Sequence, residues 1–136
     1  METYKLSLIA VFVIIATMLL QHIVAIGAHR KQRRYVPGIV DPQLSHSSFV
    51  FRSHRTFQNS LENVPMMLAT IALAIYLGLD ADLLAMVVWT FAVARIIHMV
   101  LFYAIATEKN PSPRSYFFGI GLIANLILLV LLGLHF

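Results

Sequence analysis

The residues best suited to chemistry in this sequence form a polar stripe that opens a long apolar segment. In RTFQNSLENVP, Arg55, Asn59 and Glu62 follow one another at helical spacing. At about 100° per residue, Asn59 lies about 40° from Arg55, and Glu62 lies about 20° from it on the other side. A guanidinium binds a carboxylate through paired hydrogen bonds, and a carboxylate binds an ammonium group. The stripe therefore predicts one part of a site that, together with the polar groups below, suits a small anionic molecule with both carboxylates and an amine.

A second polar group interrupts the next apolar segment, where Arg95, His98 and Phe102 share one helical face by the same spacing. A charge in the middle of a bilayer costs at least about 2.5 kcal/mol, so it needs a partner or a wet cavity. We therefore predict a structural ion pair between Glu62 and Arg95 inside the bundle. His98 is either a hydrogen-bonded packing residue or a ligand contact.

A third polar group, NPSPRSYFFG, stands where a loop enters the last apolar segment. Arg114 and Ser115 lie at this entry, and a helix N-terminus attracts anions through its unpaired N–H groups and its dipole. The alternative is an arginine at the membrane interface beside a helix cap. The predicted site brings together residues from every part of the chain that borders the basic loops: Arg30, Arg55, Asn59, Glu62, His98, Arg114 and Ser115.

The composition indicates which solvent these elements fold in. The chain has 136 residues, only 12% of them charged, and a mean hydropathy of +0.82. A small soluble domain has too little interior to bury so much apolar surface, so the bilayer is the natural solvent. The absence of cysteine excludes disulfides, thiol nucleophiles and thiolate metal sites. The first apolar run is longer than a signal-peptide core and lacks a cleavage pattern, which predicts a retained membrane helix.

Four apolar segments predict four membrane spans, at residues 6–28, 61–79, 83–106 and 116–135. A span needs about 20 apolar residues, and backbone groups cannot stay unpaired in lipid, so each segment must be helical. We therefore predict an all-α fold, a single domain over residues 1–136 that forms an integral membrane four-helix transmembrane bundle.

The positive charges predict how this bundle is oriented. Of the ten Lys and Arg residues, six lie between the first two segments, two lie in the third loop, and none lies in the second turn. The positive-inside rule then puts the first and third loops in the cytoplasm and both termini on the opposite side. The basic loop also suits anionic lipid headgroups, whereas RKQRR is too short and too poor in aromatics for a nucleic-acid site. We expect a bacterial inner membrane, with the endoplasmic reticulum as the alternative.

Three local motifs, in this order and among four spans, resemble the MAPEG family, the membrane-associated proteins of eicosanoid and glutathione metabolism. They are Arg-x3-Asn-x2-Glu-x2-Pro at residues 55–65, Ala-Arg-x2-His at residues 94–98 and Pro-Arg-Ser at residues 113–115. Within that family the chain looks most like the microsomal glutathione transferases. The resemblance covers nearly the whole sequence.

The resemblance implies a homotrimer that holds glutathione, as a co-substrate, between neighbouring protomers. It assigns Arg114 to stabilisation of the glutathione thiolate and Ser115 to assistance. The implied glutathione contacts are Arg30, Arg55, Asn59, Glu62, His98 and Tyr116. The thiolate would attack a lipophilic electrophile dissolved in the bilayer or reduce a lipid hydroperoxide, and no metal is required.

The sequence also departs from the family pattern. Some members place a tyrosine where this chain has Phe102, and others place one where it has Phe118, although Tyr103 and Tyr116 lie close by in the sequence. These losses leave Arg114 as the main activating group. They also keep open a non-catalytic scaffold that binds ligands in the membrane. A small exporter is a third alternative, but the first and last spans lack the deep acidic residue that proton coupling needs.

Overall fold

The computed structural model describes residues 2–136, which form four α-helices. Helix α1 spans Lys5–His29, α2 spans Phe49–Tyr76, α3 spans Ala81–Ala104 and α4 spans Pro113–Gly133. The all-α four-helix bundle predicted from the sequence is confirmed. The bounds of α1, α3 and α4 fall within a few residues of the predicted spans.

Helix α2 is longer than the predicted second span, residues 61–79, and starts well before it. Helix α2 begins at Phe49, directly after Ser48 in an extended conformation, and continues through Pro65 to Tyr76. Hydropathy reports only the length of helix that contacts lipid, whereas the helix itself continues for as long as its backbone hydrogen bonds do. The polar stripe, residues 55–62, therefore lies inside α2 and not at its N-terminus.

Three of the helices over residues 2–136 are long and apolar enough to cross a membrane, namely α1, α3 and α4. Helix α2 does not meet that condition, because its first half carries Arg52, Arg55 and Glu62. Its second half is apolar and packs into the bundle, where Met67 and Ile71 are buried. The chain is accordingly a membrane protein in which one helix, α2, has a charged first half and an apolar second half.

Helix α3 is the centre of the bundle. Within its apolar 18-residue stretch, 56% is buried, compared with 17% for the corresponding stretch of α1 and 28% for that of α4. The core is one cluster of buried side chains from all four helices, including Ala10, Met67, Val88, Phe91 and Leu128. The outer faces of α1 and α4 are apolar and exposed in the single chain, as contact with lipid requires.

Two loops and the helix ends that they join form what we call the basic end of the bundle. The α1–α2 loop covers residues 30–48 and the α3–α4 loop covers residues 105–112. Arg52, in the first turn of α2, donates from Nη2 to the carbonyl of Tyr103 in the last turn of α3, at 3.4 Å. Contacts of this kind bring residues from α2, α3 and α4 together at this end.

The opposite end is closed by two side chains that reach the α2–α3 turn. The Tyr4 hydroxyl donates to the carbonyl of Leu79 at 2.8 Å. His135 Nε2 lies 3.0 Å from the carbonyl of Leu77. Residues from the first and last parts of the described chain therefore hold the same turn.

The α1–α2 loop folds on itself around Gln32. Its Nε2 donates to the carbonyls of His29 at 3.2 Å and Ile39 at 3.3 Å, and its Oε1 accepts the N–H of Asp41 at 3.0 Å. Three hydrogen bonds from one side chain give this long connection a defined path. The loop is therefore able to place its later residues against the helices.

Candidate functional site

At the basic end, one aromatic ring is surrounded by two imidazoles and a guanidinium, a group that we call the Phe102 cluster. The ring of Phe102 lies 5.4 Å from the ring of His98 and 5.7 Å from the ring of His46, measured between centroids. Arg114 places its Cζ 4.2 Å from the Phe102 centroid. Helices α3 and α4 and the α1–α2 loop each contribute to the cluster.

Helix α3 contributes the buried part of this site. Arg95, His98 and Phe102 are 3%, 2% and 9% exposed, so all three face the interior. The shared face predicted from their spacing is therefore confirmed. His98 also lies against Phe118 of α4, at 6.3 Å between ring centroids, and its Nδ1 is buried without a hydrogen-bond partner among residues 2–136.

Arg114 enters the cluster from the first turn of α4. Pro113 occupies the first helical position, where its missing N–H costs nothing. The guanidinium stacks on Phe102, and its Nη2 donates to the carbonyl of Thr107. Its Nη1 is buried and has no partner within the described chain. Arg114 therefore keeps one N–H group available for an acceptor from outside the fold.

Ser115 is occupied by the start of α4. Its Oγ accepts the backbone N–H of Ser112 at 3.2 Å and lies 3.3 Å from the Ser112 hydroxyl. The Ser115 N–H donates in turn to the Ser112 carbonyl at 2.8 Å. The Ser112 side chain also pairs with the Ser115 N–H, so the two serines form a capping box, which fixes the direction of the first turn and with it the position of Arg114.

The predicted stripe on α2 points away from the bundle of its own chain. Arg55 and Glu62 have exposed side chains, 44% and 56% accessible, and their Nη1 and Oε1 atoms lie 4.0 Å apart. Asn59 lies between them, with a buried Oδ1 that has no partner in the part of the chain that the structure describes. The spacing predicted from the sequence is correct, but the face that it forms is outward.

In the first half of α2 the buried face consists of small polar residues instead. Ser53, Thr56 and Ser60 are almost fully buried. The hydroxyls of Ser53 and Thr56 donate to carbonyls three and four residues earlier in the same helix. Such side chains satisfy their own hydrogen bonds and can enter an interior that long charged side chains avoid.

The predicted ion pair between Glu62 and Arg95 is wrong for the single chain. Arg95 Nη2 donates to Ser60 Oγ at 3.1 Å, while Glu62 pairs with Arg55. Arg95 also passes close to α4, since a Cβ added to Gly121 would lie 3.6 Å from its Cδ. The mid-helix arginine is therefore partnered by a hydroxyl from the buried face of α2.

Two predicted contacts lie apart from the Phe102 cluster in the single chain. Arg30 is exposed at the C-cap of α1, and Tyr116 is 64% exposed on α4. Over residues 2–136, neither side chain forms a hydrogen bond or an ion pair. The fold of the single chain does not bring either side chain to the Phe102 cluster.

His46 and Arg52 belong to the site and were missed by the sequence interpretation. Arg52 Nη1 donates to the carbonyls of His46 at 2.6 Å and Ser47 at 3.0 Å. His46 has a buried Nδ1 without a partner among the residues described. In the sequence, Arg52 serves only as one of the positive charges that predict the membrane orientation. His46 lies in a polar loop, where no periodic pattern distinguishes it from its neighbours.

The electrostatics of this end favour an anion. Burial lowers the pKa of His46 below its usual value of 6.5, and the positive charges of Arg114, Arg55 and Arg52 lower it further, whereas Glu108 raises it. Guanidinium groups thus outnumber carboxylates around His46. A neutral imidazole, guanidinium donors and an aromatic ring together suit a ligand with acidic groups.

The described residues do not group three or more His, Asp or Glu side chains in a way that would hold a metal ion. A separate groove of about 310 Å³ lies between α1, its following loop and α2, and its lining includes His22, His29, Tyr35, His54 and Phe57. This groove does not include His98 or Arg114. The Phe102 cluster is therefore a distinct feature of the basic end.

One comparison with known proteins identifies the chain. A protein-family model, described as the MAPEG family, matches residues 6–134. No curated protein and no solved structure matches the chain.

Proposed function

This chain belongs to the MAPEG family, and from that premise we propose that it is a membrane-bound glutathione-dependent transferase or peroxidase. Membership of this family indicates a membrane protein of glutathione or eicosanoid metabolism. The more specific activity is our proposal: Arg114 stabilises the glutathione thiolate for attack on a lipophilic electrophile or a lipid hydroperoxide. Arg114 and Ser115 act at the reaction centre, and we propose that within the family the chain resembles the microsomal glutathione transferases.

The observation that carries this proposal is a set of buried polar side-chain atoms on α2, α3 and α4 that have no partners among the described residues. Arg114 Nη1, His98 Nδ1 and Asn59 Oδ1 are all of this kind within residues 2–136. Buried polar groups in native proteins are nearly always hydrogen-bonded, so such atoms need an explanation. A ligand with carboxylates, amides and a thiol would supply partners for a guanidinium, an imidazole and a side-chain carbonyl alike.

Arg114 is the group best placed to hold a negative sulfur. A free thiol has a pKa of about 8.5 and is mostly protonated at neutral pH, while the thiolate is the nucleophile. A fixed guanidinium in a site with little water stabilises that charge, and it has no need to reorient as the charge forms. The capping box and the Phe102 ring provide this fixed position.

The other proposed contacts bind the remainder of glutathione. The carboxylates suit Arg30 and Arg55, and the ammonium group suits Glu62. Asn59, His98 and Tyr116 add hydrogen bonds. Because Arg30, Arg55, Glu62 and Tyr116 are exposed in the single chain, we propose a homotrimer in which neighbouring copies complete the site.

The proposed orientation puts the basic end in the cytoplasm, where glutathione is available. The distribution of Lys and Arg supports this, because eight of the ten lie in or beside the two loops at that end. The proposed location is a bacterial inner membrane. The lipophilic co-substrate would then arrive through the bilayer.

The test compares conjugation by the wild type with that of Arg114→Ala, using glutathione and 1-chloro-2,4-dinitrobenzene in detergent. Loss of one preorganised donor to a developing anion typically costs about 10²- to 10³-fold in rate, and we expect a decrease of that size. Lys109→Ala is the matched control, because Lys109 is an exposed cation in the adjacent loop. Equal rates for the wild type and Arg114→Ala would exclude thiolate stabilisation by this residue.

A non-catalytic ligand-binding scaffold is the second candidate. It is favoured by Phe102, which has no hydroxyl, and by the engagement of Ser115 in the helix cap. A scaffold would release heat on binding glutathione or a lipophilic ligand but would not accelerate conjugation. Calorimetry beside the rate assay therefore separates the two candidates.

A further inference from the structure

His46 lies in the α1–α2 loop and packs edge-on against Phe51 of α2, at 4.9 Å between ring centroids and with an 82° angle between the rings. Its other neighbour is Phe102 of α3, at 5.7 Å. Its Nδ1 is buried and has no hydrogen-bond partner in the part of the chain that the structure describes. An imidazole held between two aromatic rings therefore presents a nitrogen that the fold itself does not use.

The backbone at His46 is anchored rather than free. Arg52 Nη1 donates to the His46 carbonyl at 2.6 Å, and its Nη2 donates to the Tyr103 carbonyl at 3.4 Å. One guanidinium thus joins the loop to the last turn of α3. This junction holds His46 beside Phe102, so its position follows from the fold of α2 and α3.

Phe102 is a neighbour that His46 and Arg114 share, and the charge of Arg114 acts on His46. Both contact the same ring, His46 at 5.7 Å between centroids and Arg114 at 4.2 Å from Cζ to the centroid. Each keeps one buried nitrogen without a partner among residues 2–136, Nδ1 of His46 and Nη1 of Arg114. One nitrogen can accept a proton, and the other can donate to a negative atom.

We propose that His46 is a catalytic residue that accepts the proton of the glutathione thiol as the thiolate forms beside Arg114. The inference rests on the proposed function and adds a proton acceptor to it. The S–H bond breaks, an N–H bond forms at Nδ1, and the electron pair stays on sulfur, where the Arg114 guanidinium offsets its charge. The imidazolium then returns its proton to water after the thiolate has reacted.

The groups that face His46 keep it able to act as a base. Arg114 of α4 and Arg52 and Arg55 of α2 are positive, and Glu108 of the α3–α4 loop is negative. Together with burial, their net effect is to lower the pKa of His46 below 6.5. The imidazole is therefore neutral at pH 7, the state that a proton acceptor requires. Phe102 has no ionisable group, so the ring itself cannot take this role.

The experiment measures glutathione conjugation by full-length wild type, His46→Gln, Arg114→Ala and the control His135→Gln over a range of pH. His135 lies at the opposite end of the bundle. We expect His46→Gln to lower kcat about 10²-fold, the lower range for general acid–base catalysis, with little change in KM for glutathione. Added imidazole should restore part of the lost rate, because it supplies a replacement proton acceptor.

The pH profile distinguishes a proton acceptor from a packing residue. The wild type should lose activity as pH falls through a limb below 6.5, where His46 becomes protonated. In His46→Gln that limb should be absent, and the rate should rise with pH as the thiol ionises by itself. His46→Phe keeps the aromatic packing on Phe51 and Phe102, so it serves if the glutamine variant does not fold, and it should show the same loss.

Two outcomes separate failure of this inference from failure of the proposed function. In the first, a folded His46 variant keeps the wild-type kcat and still loses activity below pH 6.5, while Arg114→Ala is inactive. This result would overturn the role of His46 but not the proposed function. A wild-type protein that neither conjugates nor binds glutathione would overturn the proposed function and the proton transfer together.

Discussion

The guanidinium of Arg114 lies 4.2 Å from the centre of the Phe102 ring and donates to the carbonyl of Thr107. These contacts tie the first turn of α4 to Phe102 in the last turn of α3 and to the loop that follows. The arginine proposed to hold the thiolate is thus positioned by a ring without a polar group.

Replacement of this ring should reduce activity without removing any polar group from the site. A cation–π contact contributes about 0.5–2 kcal/mol, so we expect Phe102→Leu to lower kcat/KM about 2- to 30-fold. Phe102→Tyr keeps the ring and should stay near the wild type. Phe12→Leu is the control, since Phe12 is 71% exposed on α1. An unchanged kcat/KM in Phe102→Leu would show that the ring does not position Arg114.

Glu62→Gln should weaken glutathione binding more than turnover. The carboxylate is proposed to bind the ammonium group, a contact made equally in the ground and transition states, so KM should rise while kcat changes little. A charge-assisted hydrogen bond contributes about 1.5–3 kcal/mol, which predicts an increase in KM of about 10- to 160-fold. Glu2→Gln, at another exposed carboxylate, is the control. A lower kcat with unchanged KM would contradict this role.

The hydrogen bond between Arg95 and Ser60 should be visible in stability. Ser60→Ala leaves a buried guanidinium without its acceptor, which costs about 1.5–3 kcal/mol. In Arg95→Met the same serine substitution should cost much less, so a double-mutant cycle of unfolding in detergent should give a coupling of about 1 kcal/mol or more. Thr90→Ala, which removes only a bond to the carbonyl of Met86 in the same helix, is the control. Additive effects would show that the two side chains do not interact.

Stability should depend on pH through His46. Its pKa in the folded chain lies below 6.5, mainly because of burial, so between that value and 6.5 the unfolded chain binds more protons. The free energy of unfolding should therefore fall as pH decreases below 6.5, with no contribution from His46 above it. His46→Gln should reduce this slope in denaturation measured at several pH values. An identical slope in the variant would mean that other groups cause it.

Apolar length and helical periodicity were sufficient to predict four helices and the common face of Arg95, His98 and Phe102. They were not sufficient to orient α2, because periodicity shows which residues share a face but not which face turns inward. Arg55 and Glu62 were assigned to the interior, whereas Ser60 and its neighbours occupy it. Small hydroxyls bond to their own helix, so they are buried at low cost and leave little trace in a hydropathy pattern.

His46 illustrates a different limit. Its position depends on Arg52, which reaches from α2 to the α1–α2 loop and to the end of α3. A long-range contact of this kind has no signature in the spacing of residues along the chain. The role of a histidine in a loop can therefore be inferred only when the positions of the surrounding helices are known.

The hydrogen bonds from Tyr4 and His135 to the α2–α3 turn also bear on how the bundle responds to mechanical load. Tension applied between positions 2 and 136 would act first on the carbonyls of Leu79 and Leu77. Rupture should therefore begin by release of that turn, with the helices still intact.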